Sequence, residues 1–90
     1  MKIDVKNFGV ILVSRPAGKE AFLSTNAYLL SKLTPQEEII IDFNGVNVLT
    51  PSWADEFITQ IKEQYTNNKI VFANDSNPSI KETLAIISSN

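Results

Sequence analysis

Residues 39–57, IIIDFNGVNVLTPSWADEF, decide how the rest of the chain is interpreted. Three consecutive β-branched isoleucines at 39–41 predict a buried central strand. Asn44 and Gly45 predict a turn after that strand, because both residue types tolerate positive φ. Residues 50–52, Thr-Pro-Ser, then open a helix whose apolar residues recur at spacings of three and four. The segment therefore predicts one strand–helix unit of an α/β fold.

The region before this segment predicts two strands and a helix. Residues 2–6 alternate polar and apolar side chains, which is typical of a half-exposed edge strand. Residues 9–14 contain an apolar run typical of a strand covered on both faces. Residues 7–9, Asn-Phe-Gly, predict a turn, so we expect the two strands to pair as an antiparallel hairpin. Residues 14–16, Ser-Arg-Pro, begin a helix that ends near Pro35.

The region after the segment adds one more strand and one more helix. Residues 69–73 predict the strand, and Asn77-Pro78 begins the helix. Strands joined through helices are normally parallel with right-handed crossovers. The element order ββαβαβα therefore predicts a small mixed four-stranded α/β sheet with about three packed helices, in a single domain over residues 1–90.

Composition limits the classes of function. The 90 residues include no cysteine and no histidine, which excludes thiolate metal sites, disulfides, cysteine nucleophiles and histidine bases. A net charge of −2 provides no basic field for a nucleic-acid backbone. No apolar run approaches the roughly 20 residues of a membrane span, and no signal peptide is recognisable. We expect a cytoplasmic protein without a cofactor, a metal, a nucleic-acid partner or a membrane partner.

The carboxyl edge of the sheet holds the first candidate site residues. Asp42 ends the central strand, where ligands bind in open α/β sheets. The same position also suits a carboxylate that caps its own loop. Arg15 follows the second strand at the same edge, where it either forms an ion pair with Asp42 or Asp55 or recognises an acidic partner. The sequence alone leaves these alternatives open.

The start of the second helix holds four more candidates. Thr50 and Ser52 lie where free N–H groups and the helix dipole favour an added anion, so both are candidate phosphoacceptors. Ser52 also suits an N-cap, with Asp55 in the place of a capping-box glutamate. Asp55 and Glu56 suit a first helical turn electrostatically. With Asp42 as a third carboxylate, they would instead form a magnesium or catalytic site.

Trp53 has two interpretations as well. At a first helical turn it either packs inward or stands at the rim of an interface, since tryptophan is enriched in binding hot spots. The predicted partner-binding residues are Arg15, Asp42, Thr50, Ser52, Trp53, Asp55 and Glu56.

The segment at 39–57 resembles the STAS-like family, named for sulfate transporters and anti-sigma-factor antagonists, and most of all its small stand-alone bacterial group of unknown function. In that group a strand ending Asp-Phe-x-Gly-Val leads into Thr/Ser-x-Ser-aromatic-Ala-Asp-Glu at a helix start. The matching positions here are Asp42, Phe43, Gly45, Val46, Thr50, Ser52, Trp53, Ala54, Asp55 and Glu56. The upstream pattern Gly9-x-x-Leu12-x-x-Arg15 matches too.

The resemblance implies a STAS-like fold and a non-enzymatic binding role. In anti-sigma-factor antagonists, the helix after the Asp-containing strand docks on a histidine-kinase-like (GHKL) ATPase. That ATPase phosphorylates a serine at the helix start, which releases the complex. The antagonists read Asp-Ser-Ser-Gly-Leu where residues 50–54 read Thr-Pro-Ser-Trp-Ala. Pro51 therefore occupies the usual acceptor position, and Ser52 or Thr50 would have to take the phosphate.

Functions from different classes follow from these observations. We expect a regulatory module that docks a GHKL ATPase or a similar protein through residues 50–57, under phosphorylation control. The alternative is a small-molecule or anion sensor that uses the carboxyl edge of the sheet around Arg15, Asp42 and Thr50. A metal-dependent hydrolase would instead use the carboxylates of Asp42, Asp55 and Glu56.

Overall fold

A computed structural model describes residues 1–88 as five strands and three helices. The strands are β1 (Lys2–Asp4), β2 (Ile11–Leu12), β3 (Ile39–Asp42), β4 (Val48–Leu49) and β5 (Ile70–Ala73). The helices are α1 (Arg15–Tyr28), α2 (residues 51–64) and α3 (Pro78–Ser88). Helix α2 consists of Pro51–Ala54, a π-helical turn at Asp55–Thr59, and Gln60–Gln64. Short 3-10 turns at Val5–Phe8 and Leu30–Lys32 follow β1 and α1.

The strands form two small parallel sheets, with the order β1-β3-β5 in one and β2-β4 in the other. The prediction of a small α/β fold is confirmed, but the predicted antiparallel hairpin and four-stranded mixed sheet are wrong. Val5 is fully buried in its 3-10 turn, which leads the chain away from β1 instead of folding it back. As a result β1 pairs with β3, and β2 pairs with β4.

The strand β2 and its neighbours are more exposed than predicted. Leu12 is buried, but the side chain of Ile11 is 61% exposed and that of Val13 is 52% exposed. Within residues 1–88, β4 is the only strand that pairs with β2. The prediction of a strand covered on both faces is therefore wrong, because no element in the described part of the chain covers the side chains of Ile11 and Val13.

Helix α1 begins as predicted and ends earlier. The Ser14 hydroxyl accepts a hydrogen bond from the backbone N–H of Ala17 at 3.2 Å, and Pro16 lies in the first turn. The helix ends at Tyr28, and the 3-10 turn that follows carries Leu30 into the core. The predicted apolar stripe is therefore only partly buried: Ala21, Phe22 and Leu30 are buried, whereas Leu23, Ala27 and Leu29 are exposed.

The core lies between one face of the β1-β3-β5 sheet and the helices. Most of the helical residues in this core belong to α2, as the apolar spacing predicted. They are Trp53, Ala54, Phe57, Ile58 and Ile61. The isoleucines at 39 and 41 are buried against it, which confirms the predicted central strand. No helix among the described residues is both long and apolar enough to cross a membrane.

Helices α1 and α2 cross in close contact at Gly18. A Cβ atom built on Gly18 would lie 2.5 Å from the carbonyl oxygen of Trp53, a separation that real Cβ atoms do not show. Because the obstacle is backbone, it cannot move aside as the end of a flexible side chain would. The crossing therefore requires glycine at position 18.

We expect the Gly18→Ala substitution to destabilise the protein by roughly 1–3 kcal/mol, the usual cost of overpacking. At an exposed helical position, replacing glycine by alanine would instead stabilise the protein by about 1 kcal/mol. The sign of the change in unfolding free energy therefore shows whether Gly18 lies in a close helix contact. Urea denaturation measures it, with the neighbouring exposed Lys19→Ala variant as control, expected within about 0.5 kcal/mol of the parent. A more stable Gly18→Ala variant would contradict the close crossing.

Candidate functional site

Arg15 at the start of α1 pairs with two carboxylates of α2. Its Nη1 atom lies 3.0 Å from Asp55 Oδ2 and 3.0 Å from Glu56 Oε1. Arg15 and Asp55 are about half exposed, and Glu56 is less so. The predicted Arg15–Asp55 pair is therefore present, Glu56 joins it, and Arg15 does not bond to Asp42. One guanidinium thus holds both candidate carboxylates of the helix start.

The ion pair affects the titration of both partners. The Arg15 guanidinium holds the pKa of the Asp55 carboxyl below its usual value, chiefly through its hydrogen bond, while burial opposes the shift. In return, the hydrogen bonds to Asp55 and Glu56 raise the pKa of Arg15. At neutral pH Asp55 and Arg15 are therefore both charged, so the Asp55 carboxyl is not a proton donor there.

Thr50, not Ser52, occupies the N-cap position of α2. Pro51 is the first helical residue, so Ser52 lies inside the first turn, and the predicted capping box of Ser52 with Asp55 is wrong. Proline favours the first helical position because it has no N–H to satisfy there. The Thr50 hydroxyl donates to the carbonyl oxygens of Leu12 at 3.2 Å and Val13 at 3.1 Å instead of capping the helix. Thr50 therefore ties the start of α2 to the end of β2.

Ser52 is half-buried, and no hydrogen bond of its hydroxyl is found within residues 1–88. On a helix, residues three and four apart share a face. Ser52 therefore lies on the same side of α2 as Asp55 and Glu56. Of the two candidate phosphoacceptors, Ser52 has the uncommitted hydroxyl.

Trp53 packs inward, so the first of its two interpretations is correct. Its side chain is 1% exposed. The ring stacks on Phe57 with centroids 4.8 Å apart, and the ring of Phe8 lies 6.2 Å from it. Trp53 therefore anchors the core beneath the helix start and presents no ring at the surface.

Asp42 lies in a separate hydrogen-bond network at the carboxyl edge of the β1-β3-β5 sheet. Its Oδ1 atom accepts from the Asn44 backbone N–H at 2.9 Å and from Asn74 Nδ2 at 2.8 Å. Its Oδ2 atom lies 3.2 Å from Lys2 Nζ. The bonds from Asn74, Asn44 and Lys2 lower the pKa of Asp42 against the opposing effect of burial. The loop-capping interpretation of Asp42 is the one that the geometry supports.

The structure thus brings some predicted residues together and leaves others apart. Arg15, Asp55 and Glu56 form one cluster, with Ser52 on the same side of α2. Thr50, Trp53 and Asp42 each have a structural role. Among residues 1–88 there is no group of three or more acidic side chains placed to hold a metal ion.

Sequence reasoning missed the exposed apolar side chains beside this cluster. Val10, Ile11 and Val13 precede Arg15 in the chain and are all exposed. The apolar run itself is evident in the sequence. The sequence does not show which elements cover each face of this run, and that coverage decides whether its side chains are buried.

We expect the Arg15→Gln variant to raise the pKa of Asp55 toward its ordinary value, because the guanidinium hydrogen bond is lost. Since the pKa of Asp55 is lower in the folded than in the unfolded state, its contribution to stability exists above the unfolded pKa of about 3.9. That contribution is lost as the pH falls through the folded pKa. Carbon-13 NMR titration of the side-chain carboxyls measures the shift.

Lys19→Gln serves as the control, because it removes a cation of the same helix that forms no ion pair among residues 1–88. It should leave the Asp55 titration unchanged. Identical Asp55 titrations in the parent and in Arg15→Gln would contradict the ion pair.

The Asn74→Gly variant tests the Asp42 network. Asn74 has a φ of 55°, which glycine adopts freely, so the variant removes the side-chain amide without forcing the backbone. We expect the pKa of Asp42 to rise and acid unfolding to begin at a higher pH. Carboxyl NMR and circular dichroism against pH measure the two effects. Asn67→Gly, in an exposed turn, is the matched control, and an Asp42 pKa equal in both variants would refute the assignment.

A family model described as a STAS-like domain of unknown function matches residues 27–79, which is more than half of the chain. The match runs from the end of α1 to the start of α3 and includes the segment at 39–57. No curated protein and no solved structure gives a match. The chain belongs to the family of STAS-like domains of unknown function.

Proposed function

We propose that the protein is a non-enzymatic regulatory module that binds a protein partner through β2 and the adjoining start of α2. We name this region the docking surface and define it by Val10, Ile11, Val13, Arg15 and Asp55. The observation that carries the proposal is the exposure of three apolar side chains in and beside the edge strand β2, shortly before Arg15 in the chain.

The apolar part of the docking surface supports binding because it is costly to leave in water. Proteins usually protect edge strands with charges, proline or a covering element, since an open edge pairs with other chains. Here β2 has no second neighbouring strand among residues 1–88, and the apolar side chains of Ile11 and Val13 are exposed beside its open edge. A partner that covers them gains roughly 25 cal/mol for each Å² of apolar surface buried.

The charged part of the docking surface supports selectivity. Arg15 and Asp55 are half exposed and lie beside the apolar residues. Interfaces commonly combine an apolar centre with a polar rim, and rim charges govern partner choice and association rate. The resemblance to anti-sigma-factor antagonists makes a GHKL ATPase the first partner to test. Trp53 is left out of the docking surface because it is buried.

A phosphate on Ser52 would change this surface. The helix start favours a phosphate, which adds about −1.5 to −2 charges. Asp55 and Glu56, on the same side of the helix, repel those charges, whereas Arg15 attracts them. A phosphate would therefore compete with both carboxylates for Arg15 and rearrange the charged part of the docking surface. Thr50 is the less suitable acceptor, because its hydroxyl already serves two carbonyl oxygens.

The anion-sensor alternative has weaker support than partner binding. Each of its three residues already has an intramolecular partner: Arg15 pairs with carboxylates, Asp42 with Lys2, and Thr50 with β2 carbonyls. A ligand at these residues would first have to displace those contacts.

Affinity for a GHKL ATPase encoded beside this protein tests the proposal. We expect Ile11→Ser and Val13→Ser to weaken binding by about tenfold or more, the range of hot-spot substitutions. Leu23→Ser is the matched control, since Leu23 is an apolar side chain of similar exposure on the far part of α1. Isothermal titration calorimetry measures all three. Equal affinities of the three variants and the parent would contradict the docking surface.

The same assay tests the phosphate. We expect Ser52→Glu to weaken binding and Ser52→Ala to bind like the parent, because only the first adds charge beside Asp55. Weaker binding by both variants would instead assign Ser52 a packing role.

A further inference from the structure

A cavity of about 270 Å³ lies beside α1 and is lined by none of the residues that define the docking surface. It is bounded by the 3-10 turn at Val5–Phe8, by the first half of α1 and by the helix start of α2. Its lining residues are Phe8, Ala17, Glu20, Ala21, Ser24 and Trp53. Neither the family match nor the proposed function assigns it a role.

The cavity has an apolar wall. The ring of Phe8 is 37% exposed and lies 5.6 Å from Phe57 and 6.2 Å from Trp53, so it is held in place by the aromatic cluster. Ala17 and Ala21 lie one turn apart on α1, and their short side chains leave the space open. The wall suits a short alkyl chain.

The polar side of the cavity is acidic. Glu20 is the only charged residue among those that line it, and no lysine or arginine of residues 1–88 forms an ion pair with Glu20. Ser24 lies one helical turn after Glu20, on the same face, and its hydroxyl can accept a hydrogen bond. An uncompensated carboxylate beside aromatic and methyl groups is complementary to a cation with an apolar chain.

We propose that this cavity binds an alkylammonium group. The chain lies along Phe8, Ala17 and Ala21, and the ammonium donates hydrogen bonds to the Glu20 carboxylate and the Ser24 hydroxyl. The volume of about 270 Å³ is slightly below the usual range of ligand pockets, about 300–1,000 Å³, and so suits a short chain.

The test titrates n-butylammonium chloride into the full chain, with 1-butanol as the uncharged probe of similar shape. Trp53 is the only tryptophan in the sequence, so its fluorescence reports directly on the cavity. Backbone amide NMR shifts of Phe8, Ala17 and Ser24 locate the site. We expect saturable binding of the amine, about tenfold tighter than any binding of butanol, because only the amine pairs with Glu20.

Two variants distinguish the contribution of the Glu20 charge to binding from that of the cavity's shape. Glu20→Gln should weaken amine binding by about tenfold and leave butanol binding unchanged. Ala17→Leu should abolish the binding of both probes by filling the space. Both positions are exposed, so the variants are expected to fold. Glu82→Gln, an exposed glutamate of α3, is the matched control and should bind the amine like the parent.

A second arm identifies the source of the alkylammonium group. A blocked lysine tripeptide that binds at least tenfold more tightly than butylammonium, and than its norleucine counterpart, identifies a lysine side chain of a protein. Equal or tighter binding of the free amine identifies a small metabolite. Lack of saturation by either amine, equal binding of butanol, or unchanged binding in Glu20→Gln overturns the proposal. None of these outcomes depends on the docking surface.

Discussion

The contact between Gly18 of α1 and the Trp53 backbone of α2 is the constraint on which the candidate site depends. Helices this close need a residue without a side chain at the crossing, and Gly18 supplies it. The crossing places the first turns of the two helices side by side, so that Arg15 reaches both Asp55 and Glu56. Exposed ion pairs alone contribute little to stability. The backbone packing therefore holds the charges in position, and the charges do not hold the helices together.

A second contact joins this crossing to the edge strand. Thr50 donates its backbone N–H to the Leu12 carbonyl oxygen and its hydroxyl to the Leu12 and Val13 carbonyl oxygens. These bonds use the side of β2 that faces β4 and leave the opposite edge open. They also fix the chain between Val13 and Arg15 against the start of α2. The apolar and charged parts of the docking surface are consequently held on one rigid frame.

The segment at 39–57 was largely predictable, because three adjacent isoleucines, an Asn-Gly turn and Thr-Pro-Ser each have a local physical meaning. The exposure of residues 10–13 was not, since a β-branched run looks the same in a central strand and in an edge strand. Pro51 did carry the information that Thr50 precedes the helix, because proline favours the first helical position. The cavity lined by Phe8 and Glu20 was not predictable from the sequence. Its lining residues come from distant segments, and alanines such as Ala17 and Ala21 are common in any helix.

The two faces of α1 differ, for a geometric reason, in whether their carboxylates are paired with a cation. Successive helical residues are rotated by roughly 100°, so Arg15 points almost opposite to Ala17 and Ser24. On the Arg15 side, one cation forms ion pairs with two carboxylates and neutralises half of their charge. On the opposite side, Glu20 has no cation among residues 1–88 to neutralise it. A single helix therefore separates a surface sensitive to added negative charge from a cavity that attracts positive charge.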